Sequence, residues 1–199
     1  MPAITVPAHQ SWSLYGGGPV VNGWQFSLQS DIQLTRLGLY DNPAITDGGF
    51  LGDGLLEPHP IGVWDISNPY YSFLVVTAVI SFGTSAAYDG GFRYVDIDPV
   101  LLSASGRYVI GALYEASEVL LGDWNVGEIN NPSLQITVNP LIQYEVRRVV
   151  PSLPGSLIFP ENIDPSFVGD FGPNFTFTVV PEPSTVALFL SGISLLLAS

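Results

Sequence analysis

The chain has 199 residues, no lysine, and a net charge of −13 from 5 basic and 18 acidic side chains. A phosphate-binding surface needs clustered Lys and Arg, so this balance argues against nucleic acid, an anionic membrane surface or an acidic substrate. Cysteine is absent, which excludes disulfides and thiolate zinc sites, and the 12% of aromatic residues argues against disorder. The length predicts one domain with an appendage.

Short β-strands are predicted along most of the chain, because segments rich in Val, Ile, Tyr, Phe and Trp alternate with Gly, Pro, Asn and Asp clusters. Period-2 alternation predicts a half-buried strand at Val20–Leu28, and a slip at Arg36–Leu37 predicts a bulge within Ile32–Tyr40. The other predicted strands are Pro60–Ile66, Phe73–Phe82, Phe92–Ile97, Arg107–Tyr114, Leu134–Val150 divided at Asn139–Pro140, and Asn174–Val180.

Eight or nine short strands without a convincing amphipathic helix between them favour an all-β fold. We expect an antiparallel β-sandwich, jelly-roll-like, over residues 12–180. Trp24 and Trp64 stand in alternating strands, so both are expected to pack in the core.

One acidic cluster is a candidate metal site. Asp41, Asp47 and Asp53 lie in a glycine-rich segment without Lys or Arg. Ca²⁺ prefers six to eight oxygen ligands, and both carboxylates and the backbone carbonyls of glycine turns supply them. The alternative is an ordinary solvated Asp-Gly loop.

Four aromatic residues in turn-like segments, Trp12, Tyr70, Tyr71 and Trp124, are candidates for carbohydrate binding, since sugar rings stack on exposed aromatic faces. No common catalytic motif occurs, and the chain has two histidines, so we expect no enzymatic activity. A polysaccharide-active enzyme is the remaining alternative, and it would need two carboxylates about 5–10 Å apart.

The composition changes at Pro181, where the sequence reads Pro181-Glu182-Pro183 and then continues without any charged residue to the end. Prolines at 181 and 183 prevent a strand or helix from running through the segment. Residues 184–199 are expected to form one apolar helix of about 24 Å outside the sandwich core, slightly short for a bilayer of about 30 Å.

This C-terminal region, residues 181–199, resembles the PEP-CTERM sorting signal of exported bacterial proteins. The resemblance rests on Pro181, Glu182 and Pro183, followed by Ser184 and Thr185 and the apolar run. It implies export to the cell surface or extracellular matrix, transient anchoring in the inner membrane, processing by an exosortase-type transpeptidase, and association with exopolysaccharide or biofilm. The first residues predict no secretory signal peptide, and no basic cluster follows the apolar run.

The body is also similar to a bacterial domain-of-unknown-function family of exported proteins. The resemblance rests on six motifs in this order: G-W-x-F at Gly23, L-G-L-Y-D at Leu37, G-D-G-L at Gly52, H-P-I-G-V-W-D at His59, F-R-Y-V at Phe92 and Y-V-I-G-A at Tyr108. It implies export and a β-sandwich, without an established activity.

Overall fold

The structure, a computed structural model, describes residues 1–6, 19–41, 54–115, 136–165 and 171–181. Every regular secondary-structure element within these ranges is a β-strand, which confirms the predicted all-β class. In chain order they are β1 (Ile4–Thr5), β2 (Val20–Leu28), β3 (Ile32–Tyr40), β4 (His59–Asp65), β5 (Phe73–Ile80), β6 (Ala87–Asp89), β7 (Phe92–Leu102), β8 (Arg107–Tyr114), β9 (Thr137–Val138), β10 (Ile142–Pro151), β11 (Asn162–Asp164) and β12 (Pro173–Val179).

The strands form two large antiparallel sheets that pack in layers, as a β-sandwich does. One sheet has six strands in the order β11-β10-β2-β8-β4-β5, and the other has four in the order β12-β3-β7-β6. β1 and β9 form a separate small pair. The finer jelly-roll-like connectivity stays a prediction.

Aromatic side chains from both sheets fill the core. Trp24 and Phe26 of β2 meet Phe175 of β12, with centroid distances to Phe175 of 5.9 and 5.1 Å. The Trp24 indole N–H also donates to the backbone oxygen of Pro173 at 2.8 Å, so this buried ring has its polar atom satisfied. The predicted core position of Trp24 is confirmed.

The predicted bulge in β3 is present. Thr35 is the extra residue, because Arg36 and Leu34 pair with the consecutive residues Thr176 and Phe177 of β12. It lies just before the predicted position of the slip, Arg36–Leu37. The two predicted segments Val20–Leu28 and Ile32–Tyr40 have the same bounds as β2 and β3.

The expectation that β2 is half-buried is wrong, because both faces of the six-stranded sheet are covered at this strand. The chain after β10 crosses the outer face, where Leu157 packs on the cluster that contains Val21. Trp64 is buried as expected, but it lies on this outer face, and its ring meets that of Phe159 at 6.0 Å. The alternation therefore predicted the strand correctly but did not predict the segment that covers its outer face.

Three strands were not predicted from the sequence: β1, β6 and β11, each two or three residues long. Residues 1–6 run beside β12, and Ala3 and Ile4 are buried in the core. The Asn174 side chain accepts from the Ile4 N–H at 3.1 Å and donates to the Ile4 carbonyl at 2.9 Å. This amide therefore ties the first residues to the sandwich.

The apolar run at 184–199 lies outside the described residues, as do Glu182 and Pro183, so the C-terminal helix stays a prediction. In the part of the chain that the structure describes, no helix is long and apolar enough to cross a membrane.

Candidate functional site

The connection between β4 and β5 displays two tyrosines on an ordered loop. The N–H of Ser67 donates to the Asp65 carboxylate at 2.7 Å, and the N–H of Tyr70 donates to the Asn68 side chain at 2.9 Å. Such Asx turns fix the backbone locally. Tyr70 is 92% exposed and Tyr71 64% exposed, so both rings are presented to solvent by a backbone that is held in place.

A second set of contacts joins this loop to β8. The Arg107 N–H donates to the hydroxyl of Ser67 at 3.0 Å, and the Ile66 N–H donates to the Arg107 carbonyl at 2.8 Å. The loop therefore cannot shift without breaking bonds to the sheet.

The two tyrosines border an open cleft of about 420 Å³, a volume within the range of about 300–1,000 Å³ that is typical of ligand sites. Its other side is formed by β8, β10 and the segment that crosses the outer face. The residues that line the cleft and carry the argument below are Tyr70, Tyr71, Arg107, Arg148, Phe159 and Glu161.

A polar network joins the strands beside the cleft. Glu145 of β10 forms an ion pair with Arg107 of β8 and accepts a hydrogen bond from the amide of Gln25 on β2. The oxygen of the same Gln25 amide accepts from Nε of Arg148 at 2.8 Å and also from its Nη2. The NH₂ group of Gln25 thus has an acceptor, and its oxygen has donors, as an amide side chain requires.

These contacts shift the pKa values of the charged groups. The hydrogen bond to Glu145 raises the pKa of Arg107. Desolvation acts to raise the pKa of Glu145, but the hydrogen bonds from Arg107 and Gln25 outweigh it and keep the pKa below its usual value. Burial, and then the charge of Arg107, lower the pKa of Arg148, while the charge of Glu145 acts in the opposite direction. The network is therefore charged at neutral pH, and Arg148 is its least stabilised cation.

Of the four aromatic residues predicted for carbohydrate binding, the structure brings Tyr70 and Tyr71 together. Trp12 and Trp124 lie outside the described residues. The four aromatics are not shown to share one platform.

Asp41, the first of the three predicted metal ligands, is buried and paired with Arg93. Nε of Arg93 donates to its carboxylate at 2.7 Å, and Nη1 donates to the carbonyls of Thr84 and Ala86. No Lys or Arg lies in the same glycine-rich segment as Asp41, but strand β7 brings Arg93 to it in the fold. Asp47 and Asp53 lie outside the described residues, so the Ca²⁺ site stays a prediction. Among the residues that are described, no group of three or more acidic or histidine side chains is arranged to hold a metal ion.

His59 begins β4 and is fully buried, with Nδ1 3.0 Å from the carbonyl oxygen of Leu113. Burial lowers the pKa of His59 to about 4, so the ring is neutral at pH 7. The partner is a backbone carbonyl of strand β8.

The residues that sequence reasoning missed are Arg107, Arg148 and Phe159. They come from two strands and a crossing segment far apart in sequence, and only the fold brings them to the tyrosine loop. Comparison with known proteins finds no matching family model, no similar curated protein and no similar solved structure.

Proposed function

We propose that this chain is a non-catalytic exported protein that binds a polysaccharide, and that the cleft beside Tyr70 and Tyr71 is its binding site. The supporting observation is the pair of exposed tyrosine rings on a loop fixed by hydrogen bonds. Two neighbouring exposed aromatic rings offer faces on which sugar rings can stack, and a preformed site loses little entropy on binding.

The chemistry of the cleft fits stacking and hydrogen bonding better than hydrolysis. Glycoside cleavage in most families needs two carboxylates on either side of the bond. Here Glu161 lines the cleft, while the carboxylate of Glu145 is engaged by Arg107 and Gln25. Binding without cleavage is therefore the function that this arrangement supports best.

We expect the Tyr70→Ala/Tyr71→Ala variant of the full chain to bind oligosaccharides about tenfold more weakly. Each aromatic contact is worth about 0.5–1.5 kcal/mol, and 1.4 kcal/mol is a factor of ten in affinity. Titration calorimetry against the best ligand from a glycan array measures the change. Phe82→Ala is the control, because Phe82 is similarly exposed but follows the other end of β5.

If the tyrosine variant and Phe82→Ala lose the same affinity, or if the tyrosine variant binds as tightly as the unaltered chain, the cleft is not the binding site. Failure of the unaltered chain to bind any glycan would contradict the function itself.

The export part of the proposal rests on Pro181-Glu182-Pro183 and the apolar run that follows β12. We expect the full chain, expressed behind a known signal peptide, to be found in the membrane fraction. A chain in which Leu195, Leu196 and Leu197 are replaced by serine should be found in the soluble fraction with its fold intact. If that variant unfolds instead while the full chain stays soluble and monomeric, the run belongs to the core and is not a membrane anchor.

A further inference from the structure

The five arginines of this chain differ in their partners. Four of them pair with a carboxylate: Arg36 with Asp89 at 3.4 Å, Arg93 with Asp41 at 2.7 Å, Arg147 with Asp164 at 2.8 Å, and Arg107 with Glu145. This is the pattern expected in a chain with 18 acidic residues, where counter-charges are plentiful.

Arg148 departs from this pattern. Its Nε and Nη2 donate to the Gln25 amide oxygen, and its Nη1 donates to the backbone oxygen of Glu161 at 2.8 Å. All of these acceptors are uncharged. Within the described ranges, no carboxylate oxygen lies at ion-pair distance from this guanidinium.

Arg148 forms no direct ion pair with a described residue, although the charge of Glu145 acts on it from further away, and its position makes this significant. The side chain is partly buried, its guanidinium carbon lies 5.9 Å from the centre of the Phe159 ring, and it lines the cleft that Tyr70 and Tyr71 border. A guanidinium held by neutral acceptors keeps its charge, and a partly desolvated charge gains from an anionic partner. The rigid planar fork of arginine matches a carboxylate in particular.

We propose that the cleft is specific for an acidic saccharide, with the carboxylate of a uronic acid residue on Arg148 and its sugar ring against Tyr70 or Tyr71. This inference rests on the proposed function and adds the class of ligand. The net charge of −13 argues against an acidic ligand for the molecule as a whole, but of the two arginines that line this cleft, Arg107 is balanced by Glu145, whereas Arg148 forms no ion pair with any described residue. At 0.15 M salt, exposed acidic groups more than about 8 Å away are largely screened, so they weigh less than the contacts within the cleft.

The test compares uronate oligosaccharides with their methyl esters, which keep the sugar rings and lose the charge. Oligogalacturonate, oligoglucuronate and oligomannuronate are titrated into the full chain at 0.15 M salt, each beside its methyl ester and a sulfated neutral oligosaccharide. We expect at least one uronate to bind about tenfold more tightly than its ester, the effect of one hydrogen-bonded charge pair.

Two variants assign that preference to a residue. Arg148→Gln should remove the preference for the acid, while Arg148→Lys should retain part of it, because the charge remains but the planar fork is lost. Arg36→Gln is the matched control, since it removes the same charge from the four-stranded sheet. Thermal melts of each variant check that the fold is intact.

The outcomes separate the inference from the proposed function. Equal binding of acid and ester, abolished by Tyr70→Ala/Tyr71→Ala, would overturn the inference and leave polysaccharide binding standing. Binding of the sulfated compound alone would overturn the assignment of a carboxylate. Binding of no saccharide by the unaltered chain would overturn both.

Discussion

We expect the Gly23→Ala variant either not to fold or to have a free energy of unfolding more than about 3 kcal/mol below that of the unaltered chain. Gly23 of β2 pairs with Gly111 of β8 in the middle of the six-stranded sheet. A Cβ atom at position 23 would overlap the carbonyl oxygen of Ile110 and lie 2.7 Å from the Cα of Gly111. Backbone cannot move aside as a side chain does, so the two central strands would separate. Urea denaturation of the purified protein measures the effect.

Gly62→Ala is the matched control, because Gly62 of β4 faces the same Gly111 from the other side. Its added Cβ would meet the side-chain ends of Leu74 and Trp64 at 3.1 Å, and these atoms can shift by a few tenths of an ångström. We expect a loss below about 1.5 kcal/mol. If the two variants unfold at the same urea concentration, the close approach of β2 and β8 is not real.

The Asp41→Asn variant is expected to lose about 3–5 kcal/mol of unfolding free energy, the usual effect of leaving a buried charge without its partner. Asp41 and Arg93 are only 3% and 6% exposed. The comparison is Asp89→Asn, because Asp89 pairs with Arg36 at the surface, and such pairs contribute about 0–1 kcal/mol. Chemical denaturation of both variants beside the unaltered chain gives the difference.

The same variants discriminate between the ion pair and the predicted Ca²⁺ site. If Asp41 serves Arg93, Asp41→Asn destabilises the protein equally in the presence of millimolar Ca²⁺ or a chelator. A loss seen only with Ca²⁺, together with a higher melting temperature of the unaltered chain in Ca²⁺, would make Asp41 a metal ligand instead.

The positions of the main strands could be predicted from the sequence, but the layers that cover them could not. Alternation and turn residues located β2, β3 and β8 with their observed bounds, because the pleat itself imposes the period. The covering of β2 on its outer face could not be predicted, since it depends on where the chain after β10 packs. Strands of two or three residues, such as β1, exist through pairing with distant residues and carry no pattern of their own.

The candidate site was predictable only in part, for a similar reason. Tyr70 and Tyr71 stand in a turn beside Pro69, so their exposure could be inferred from neighbouring residues. The charge balance of the whole chain argued against an acidic ligand, but a sum over 199 residues does not reveal the surroundings of a single arginine. Which of the described carboxylates reach Arg148 depends on which strands lie side by side, and only the fold determines that.

The central claim is that the cleft at Tyr70 and Tyr71 binds a saccharide, and the most direct test is to map the bound ligand by NMR. Amide chemical shifts of the full chain, labelled with ¹⁵N, are followed as a uronate oligosaccharide is added. We expect the largest changes in residues 66–72 and at Arg107, Arg148 and Glu161, the lining of the cleft. Changes concentrated at the opposite end of the sheet, near Val20 and Tyr114, would contradict the account.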